Sequence, residues 1–113
     1  MTVISRFSIV GAAAVLGACA TLPPGWKEYR SAIKCDLQNQ GAACAPLYES
    51  AIKANPKLPG VYASYGTNLC KTGDVARGRS LLVKEAELNQ GAGPIVKVVL
   101  TRLDAVAVAD SAR

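Results

Sequence analysis

The sequence predicts an all-α fold, an antiparallel array of helix–turn–helix pairs closed by one further helix. Three observations carry that expectation. Apolar and small residues recur at three- and four-residue spacing in several separate runs, the mark of one helix face. Clusters rich in Gly, Pro and Asn divide those runs from one another. The chain also aligns with itself at an offset of 34 residues, the length of a two-helix structural unit.

Composition bounds the answer. The chain has 113 residues, 13 basic and 8 acidic, with a net charge of +5, 4 cysteines and no histidine. That is one small domain. The apolar share is 50% and the aromatic share 5%, which predicts a core of Ala, Val, Leu and Ile. Without histidine the chain lacks the commonest general base, Ser-His or Cys-His activation, and His-ligated zinc.

The elements follow in order. Met1 to Arg6 carries one positive side chain, and residues 7–18, FSIVGAAAVLGA, are apolar or small. Twelve such residues are too few to span a bilayer, which takes about 17–25, but they suit the core of a secretory leader. Residues 20–25, ATLPPG, read as a tether that Pro23, Pro24 and Gly25 keep out of any helix. Helices are predicted from Trp26 to about Leu37, from Ala42 to about Ala54, from Gly60 or Val61 to Lys71, and from Val75 to Leu88. Between the last two, Gly73 is a helix stop and Asp74 an N-cap. Pro94 opens the final helix, which runs to about Ala109. Its β-branched residues suggest a strand. Their spacing does not: Val96, Val99, Leu100, Leu103, Val106 and Ala107 fall on one helical face.

The leader ends in Leu16-Gly17-Ala18-Cys19. This resembles the lipobox of bacterial lipoproteins, where an aliphatic and two small residues precede a cysteine. Small side chains let the extended segment enter a peptidase site, and the thiol is the nucleophile that accepts a diacylglyceryl group. The resemblance implies a signal peptide over 1–18, cleavage before Cys19, acylation of Cys19 and a lipidated tether over 19–25. Two or more acyl chains give stable anchoring. No Asp follows the cysteine, since residues 20 and 21 are Ala and Thr. By the same resemblance the chain goes to the outer membrane, on its periplasmic face. Cleavage after an ordinary signal site, or an uncleaved short anchor, are the competing readings of the segment.

The 34-residue offset lays Ala54-Asn55 over Leu88-Asn89, Tyr48 over Leu82, Cys44 over Gly78, Ala32 over Gly66 and Cys35 over Leu69. Small residues meet small at Ala32/Gly66 and Cys44/Gly78, and large meet large at Tyr48/Leu82. The second unit resembles the tetratricopeptide family: Tyr65-Gly66 and Leu69 take its large-small pair and following aromatic position, and Gly78 and Leu82 the small and large positions of its second helix. Glu85 and Gln90 depart from the Ala and Pro usual there, and the first unit matches mainly through Ala51 and Pro56. The resemblance implies about two repeats plus a capping helix over residues 26–110, with Gly66 and Gly78 at a close helix crossing and Tyr65, Leu69 and Leu82 filling the space beside them. An unrelated helical bundle is the alternative.

In an oxidising periplasm the remaining cysteines should pair. The repeat frame turns Cys35 and Cys44 into one interface and implies a disulfide between them, leaving Cys70 buried or joined to a partner. A three-thiolate zinc site lacks any C-x-x-C pair, so no metal is expected. Lys71, Arg77, Arg79 and Lys84 bias the second unit towards positive charge, either as a solvated face or as an attraction to anionic headgroups, peptidoglycan or an acidic segment. Glu85 and Glu87 lie two apart and face different ways on a helix, Ser64 and Ser80 have no histidine to activate them, and Gly91-Ala92-Gly93-Pro94 lacks the lysine and spacing of a phosphate loop. The expectation is therefore no enzyme, no cofactor and no nucleic acid. It is a membrane-anchored module that holds a protein or peptide of the cell envelope. The alternative is a structural envelope lipoprotein without a groove ligand.

Overall fold

Five α-helices and two 3-10 turns account for most of residues 21–112, the part of the chain described by the computed structural model. Helix α1 is Trp26–Leu37, α2 Ala45–Ala54, α3 Val61–Thr72, α4 Val75–Leu88 and α5 Gly93–Ser111. Among the described residues there is no strand, and the fold is all-α as expected. Each helix packs on the next, most extensively α3 on α4 and α1 on α2. The predicted leader and Cys19 lie outside the described residues.

Local chemistry explains the boundaries. Gly25 starts α1 with φ +81° and is buried. A Cβ there would stand 2.7 Å from the Ala51 carbonyl oxygen of α2. The expected tether therefore ends inside the fold, because only glycine lets the chain turn so close to a backbone. The second predicted helix begins later than expected. Gly41–Cys44 is a 3-10 turn and α2 starts at Ala45. Pro46 is the reason, since it has no amide to donate one turn back, so the preceding residues tighten to three-residue spacing. Gly73 closes α3 at φ +107°, and Asp74 accepts the Arg77 amide to open α4, as the sequence predicts.

The core adds aromatic residues to the aliphatic ones that composition predicts. Ala32, Ala51, Leu58, Val61, Leu69, Leu82 and Val96 are buried, and Tyr48, Tyr62 and Tyr65 are buried with them. Trp26, Tyr29, Tyr48 and Tyr65 form a file of rings, Trp26 edge-on to Tyr29 at 5.8 Å and Tyr48 stacked on Tyr65 at 5.3 Å. Aromatic pairs at such distances are each worth about 0.5–1.5 kcal/mol beyond area burial.

α5 packs only in part. Of its predicted face, Val96 is buried and Val99, Leu100 and Leu103 are half-buried, but Val106 and Ala107 are exposed. The physical reason is length: Arg79 pairs with Asp104, so the start of α4 is reached about there and the last turns of α5 have no helix opposite. No helix among the described residues is long and apolar enough to cross a membrane.

Candidate functional site

The predicted packing residues come together where α3 crosses α4. Tyr65 and Leu82 are 1% exposed and Leu69 is 7% exposed, with Gly66 and Gly78 buried between them. A Cβ on Gly66 would stand 2.7 Å from the Gly78 carbonyl oxygen, and one on Gly78 would stand 2.6 Å from the Gly66 oxygen. The two backbones are thus in mutual contact, with Cys70 beside Gly78. Burial pushes the Cys70 thiol above its ordinary range, partly countered by Arg79.

Cys35 and Cys44 are buried, with sulfurs at disulfide distance and Cα atoms 5.6 Å apart. The link ties α1 to the 3-10 turn before α2. Cys70 is free and half-buried.

These contacts set α1, α3 and α5 around a cleft of about 290 Å³. Ile33 and Leu37 of α1, Ala63, Ser64 and Thr67 of α3, and Ile95 and Val99 of α5 line it, with Tyr48 and Leu82 at its base. Other surface hollows each follow a single helix, on α1, α4 or α5, so this cleft alone among them gathers residues distant in sequence. Asp36 is the one charged residue of its largely apolar lining. Asp36 accepts hydrogen bonds from the Tyr48 hydroxyl and from Asn68 Nδ2, the latter at 2.7 Å. Asn68 Nδ2 also donates to the Gly41 carbonyl at 3.0 Å. Tyr29 and Ser64 share a hydroxyl–hydroxyl bond of 2.8 Å. Each Asp36 oxygen is thereby fixed by one internal donor, and a carboxylate has lone pairs to spare for another. Chemically, the cleft offers apolar walls around one oriented anion.

Two tyrosines in the core hold their protons tightly. Burial, then the bond to Asp36, raises Tyr48 well above its ordinary value of 10.0. Burial and the bond to Glu49 push Tyr65 up to about 12, against the opposing charge of Arg77. The unfolded chain would lose these protons first as pH rises, so stability is full below about pH 10 and falls above it. Melting temperature measured across alkaline pH should show that decline, and Tyr48→Phe should flatten it.

The basic residues of the second unit are largely occupied within the fold. Arg77 pairs with Glu49 at 3.4 Å and lies 5.3 Å from the Tyr65 ring centre. Arg79 pairs with Asp104. Lys84 lies 4.8 Å from the Tyr62 ring centre. Glu85, which stands where the tetratricopeptide pattern usually has Ala, is 1% exposed. Its Oε1 accepts the Gly60 amide at 2.6 Å and an Asn89 bond at 3.4 Å. A carboxylate at the N-terminal end of α3 also complements the helix dipole. The signal was available, because Gly78, Leu82 and Glu85 share one helical face. Asn68, 2% exposed, was missed likewise, although it adjoins Leu69 and follows Tyr65 by three. Oε2 of Glu85 and Oδ1 of Asn68 are buried without a hydrogen-bond partner among the described residues. No group of three or more metal-ligating side chains occurs among those residues.

Compared with protein-family models, with curated proteins and with solved structures, the chain shows no match.

Proposed function

We propose that the chain is a membrane-anchored envelope lipoprotein. In this reading its tetratricopeptide-like helical array holds a protein or peptide segment in the cleft between α1, α3 and α5. The observation that carries the binding role is Asp36, an anion oriented by Tyr48 and Asn68 within walls of Ile33, Leu37, Ile95 and Val99. Such a site suits a segment that offers apolar side chains and one amide or cationic donor. The anchoring role rests on Leu16-Gly17-Ala18-Cys19, with attachment through acyl chains on Cys19 at the periplasmic face of the outer membrane. Confinement to a surface raises the effective concentration of whatever the cleft holds. The pairing of α1 with α2 and of α3 with α4, and the glycine contact between α3 and α4, support the repeat reading.

Two measurements test this. Mass spectrometry of the mature N-terminus should find an acylated Cys19, and Cys19→Ser should accumulate as a precursor that keeps its leader. Normal maturation of that variant would end the anchoring role. A photo-crosslinker placed at Ile95 should trap one stoichiometric envelope protein, and the adduct should fade with Asp36→Ala. The exposed apolar side of α5, with Val98 63% and Val108 69% exposed, favours a second reading, a structural lipoprotein that self-associates. Crosslinks only between copies of the chain would select it.

A further inference from the structure

We propose that the outer face of α1 is a docking surface for anionic phospholipid, which lays the helical domain against the membrane along that helix. This builds on the anchoring role above but is carried by different residues.

Lys27, Arg30 and Lys34 recur at three- and four-residue spacing and share one side of α1. All three are exposed, as is Ser31 between them. Among the described residues none of the three has an acidic side chain within ion-pair distance, in contrast to Arg77 and Arg79. The acidic residues of α1 lie elsewhere: Asp36 is turned into the cleft and bonded there, and Glu28 is half-buried on another side. This face is thus cationic without internal neutralisation.

It is also apolar at its N-terminal end. Leu22 is 66% exposed, and with Trp26 it lines the same shallow basin as Lys27, Arg30, Ser31 and Lys34. Trp26 packs edge-on against Tyr29, so one side of the indole is anchored in the protein while the residue still borders the basin. An apolar body with a polar N–H suits the headgroup boundary of a bilayer. Lysine and arginine stems add apolar length beneath their charges. Cations ringed around apolar groups fit a lipid surface better than they fit a soluble anion.

Distance favours the encounter once the chain is anchored. From Cys19 to Trp26 an extended chain reaches at most about 25 Å, and the turn that brings the Trp26 amide to the Pro23 carbonyl shortens it further. The start of the first helix is therefore held within about 25 Å of the bilayer. Asp36 of the cleft faces away from Lys27 and Lys34 on that helix, whereas Ile33 and Leu37 border Arg30 and Lys34, so contact through the three cations brings lipid to one wall of the cleft and leaves Asp36 unengaged.

The test uses the chain from residue 19 onwards with Cys19→Ser. It keeps all five helices and the core they share, and neither leader nor acyl group holds it to lipid. Circular dichroism first confirms that it and each variant are helical. Trp26 is the only tryptophan in the sequence, which makes its fluorescence a local probe. Vesicles containing phosphatidylglycerol should shift Trp26 emission to shorter wavelength and sediment the protein, whereas pure phosphatidylcholine vesicles should do neither. Added salt should release it. With each cation near an anionic surface worth roughly a fivefold gain in partition, removing all three charges as Lys27→Gln/Arg30→Gln/Lys34→Gln should weaken partition on the order of 100-fold. The same change at Lys97 and Arg102 of α5 should leave it nearly unchanged. Equal partition of the triple variant and the parent chain would overturn the proposal, as would an unshifted Trp26 on anionic vesicles. Either result leaves the acylation of Cys19 to be decided by its own mass measurement.

Discussion

Gly78→Ala should lower stability by about 2 kcal/mol, enough to drop the melting temperature of a domain this size by roughly 8–16 °C. Alanine would ordinarily strengthen a helix by about 1 kcal/mol relative to glycine. Here the added methyl would stand 2.6 Å from the Gly66 carbonyl oxygen, 2.5 Å from the Cys70 sulfur and 3.1 Å from the Cys70 amide nitrogen. Two of those three neighbours are backbone atoms and cannot rotate aside. α3 and α4 must separate, and the contacts of Tyr65, Leu69 and Leu82 loosen with them. The overpacking cost, about 1–3 kcal/mol and occasionally more, therefore exceeds the propensity gain. Gly66→Ala should behave alike, because its methyl meets the Gly78 oxygen at 2.7 Å and the Leu82 amide nitrogen at 3.2 Å. Gly93→Ala is the control. Nothing lies within 4 Å of its Cβ position and its φ is −49°, so it should be neutral or mildly stabilising. Thermal melts of the three variants by circular dichroism check the ordering. A Gly78→Ala protein as stable as the parent would show that the two helices are not in backbone contact.

Loss of the Cys35–Cys44 link should cost about 2–3 kcal/mol in the chain-entropy account. The separation along the chain is 9 residues, so the loop it closes is short and the effect is at the modest end for disulfides. In so small a domain it still matters, since total stability is only about 5–15 kcal/mol. Cys35→Ala/Cys44→Ala should melt at a temperature lower by about 10–20 °C. Reductant should produce a similar fall in the parent chain and almost none in the double variant. That comparison separates the covalent link from the packing of the two side chains, which are 5% and 0% exposed. A parent protein indifferent to reductant would mean that the link contributes nothing to folding.

Much of the architecture was legible from residue order. Gly73-Asp74, Pro94 and the Asn-Pro segment after Ala54 marked the helix limits, because they act through their own backbone geometry. The crossing of Gly66 and Gly78 was expected through the tetratricopeptide resemblance. What escaped was the polar interior. Glu85 and Asn68 occupy core-facing positions, yet their side-chain types argued for the surface. Their burial depends on partners far away in the chain: the Gly60 amide for Glu85, and Asp36 with the Gly41 carbonyl for Asn68. The tyrosine file was hidden for a similar reason. A low aromatic share says nothing of where the few aromatics gather, and here every tyrosine falls within the helical domain.

Sequence alone determined that this chain is helical and where most helices begin and end, since those properties follow from local backbone preference and periodicity, while the approach of Gly66 to Gly78 was expected only through the tetratricopeptide resemblance. Tertiary structure decided the rest. It turned Asp36 into a cleft bounded by three helices, drew Arg77 and Arg79 into ion pairs, and left Lys27, Arg30 and Lys34 facing outwards without a counter-charge. The physical reason is that the environment of a charge is set by whatever packs beside it, and those neighbours are brought there by contacts between residues distant along the chain.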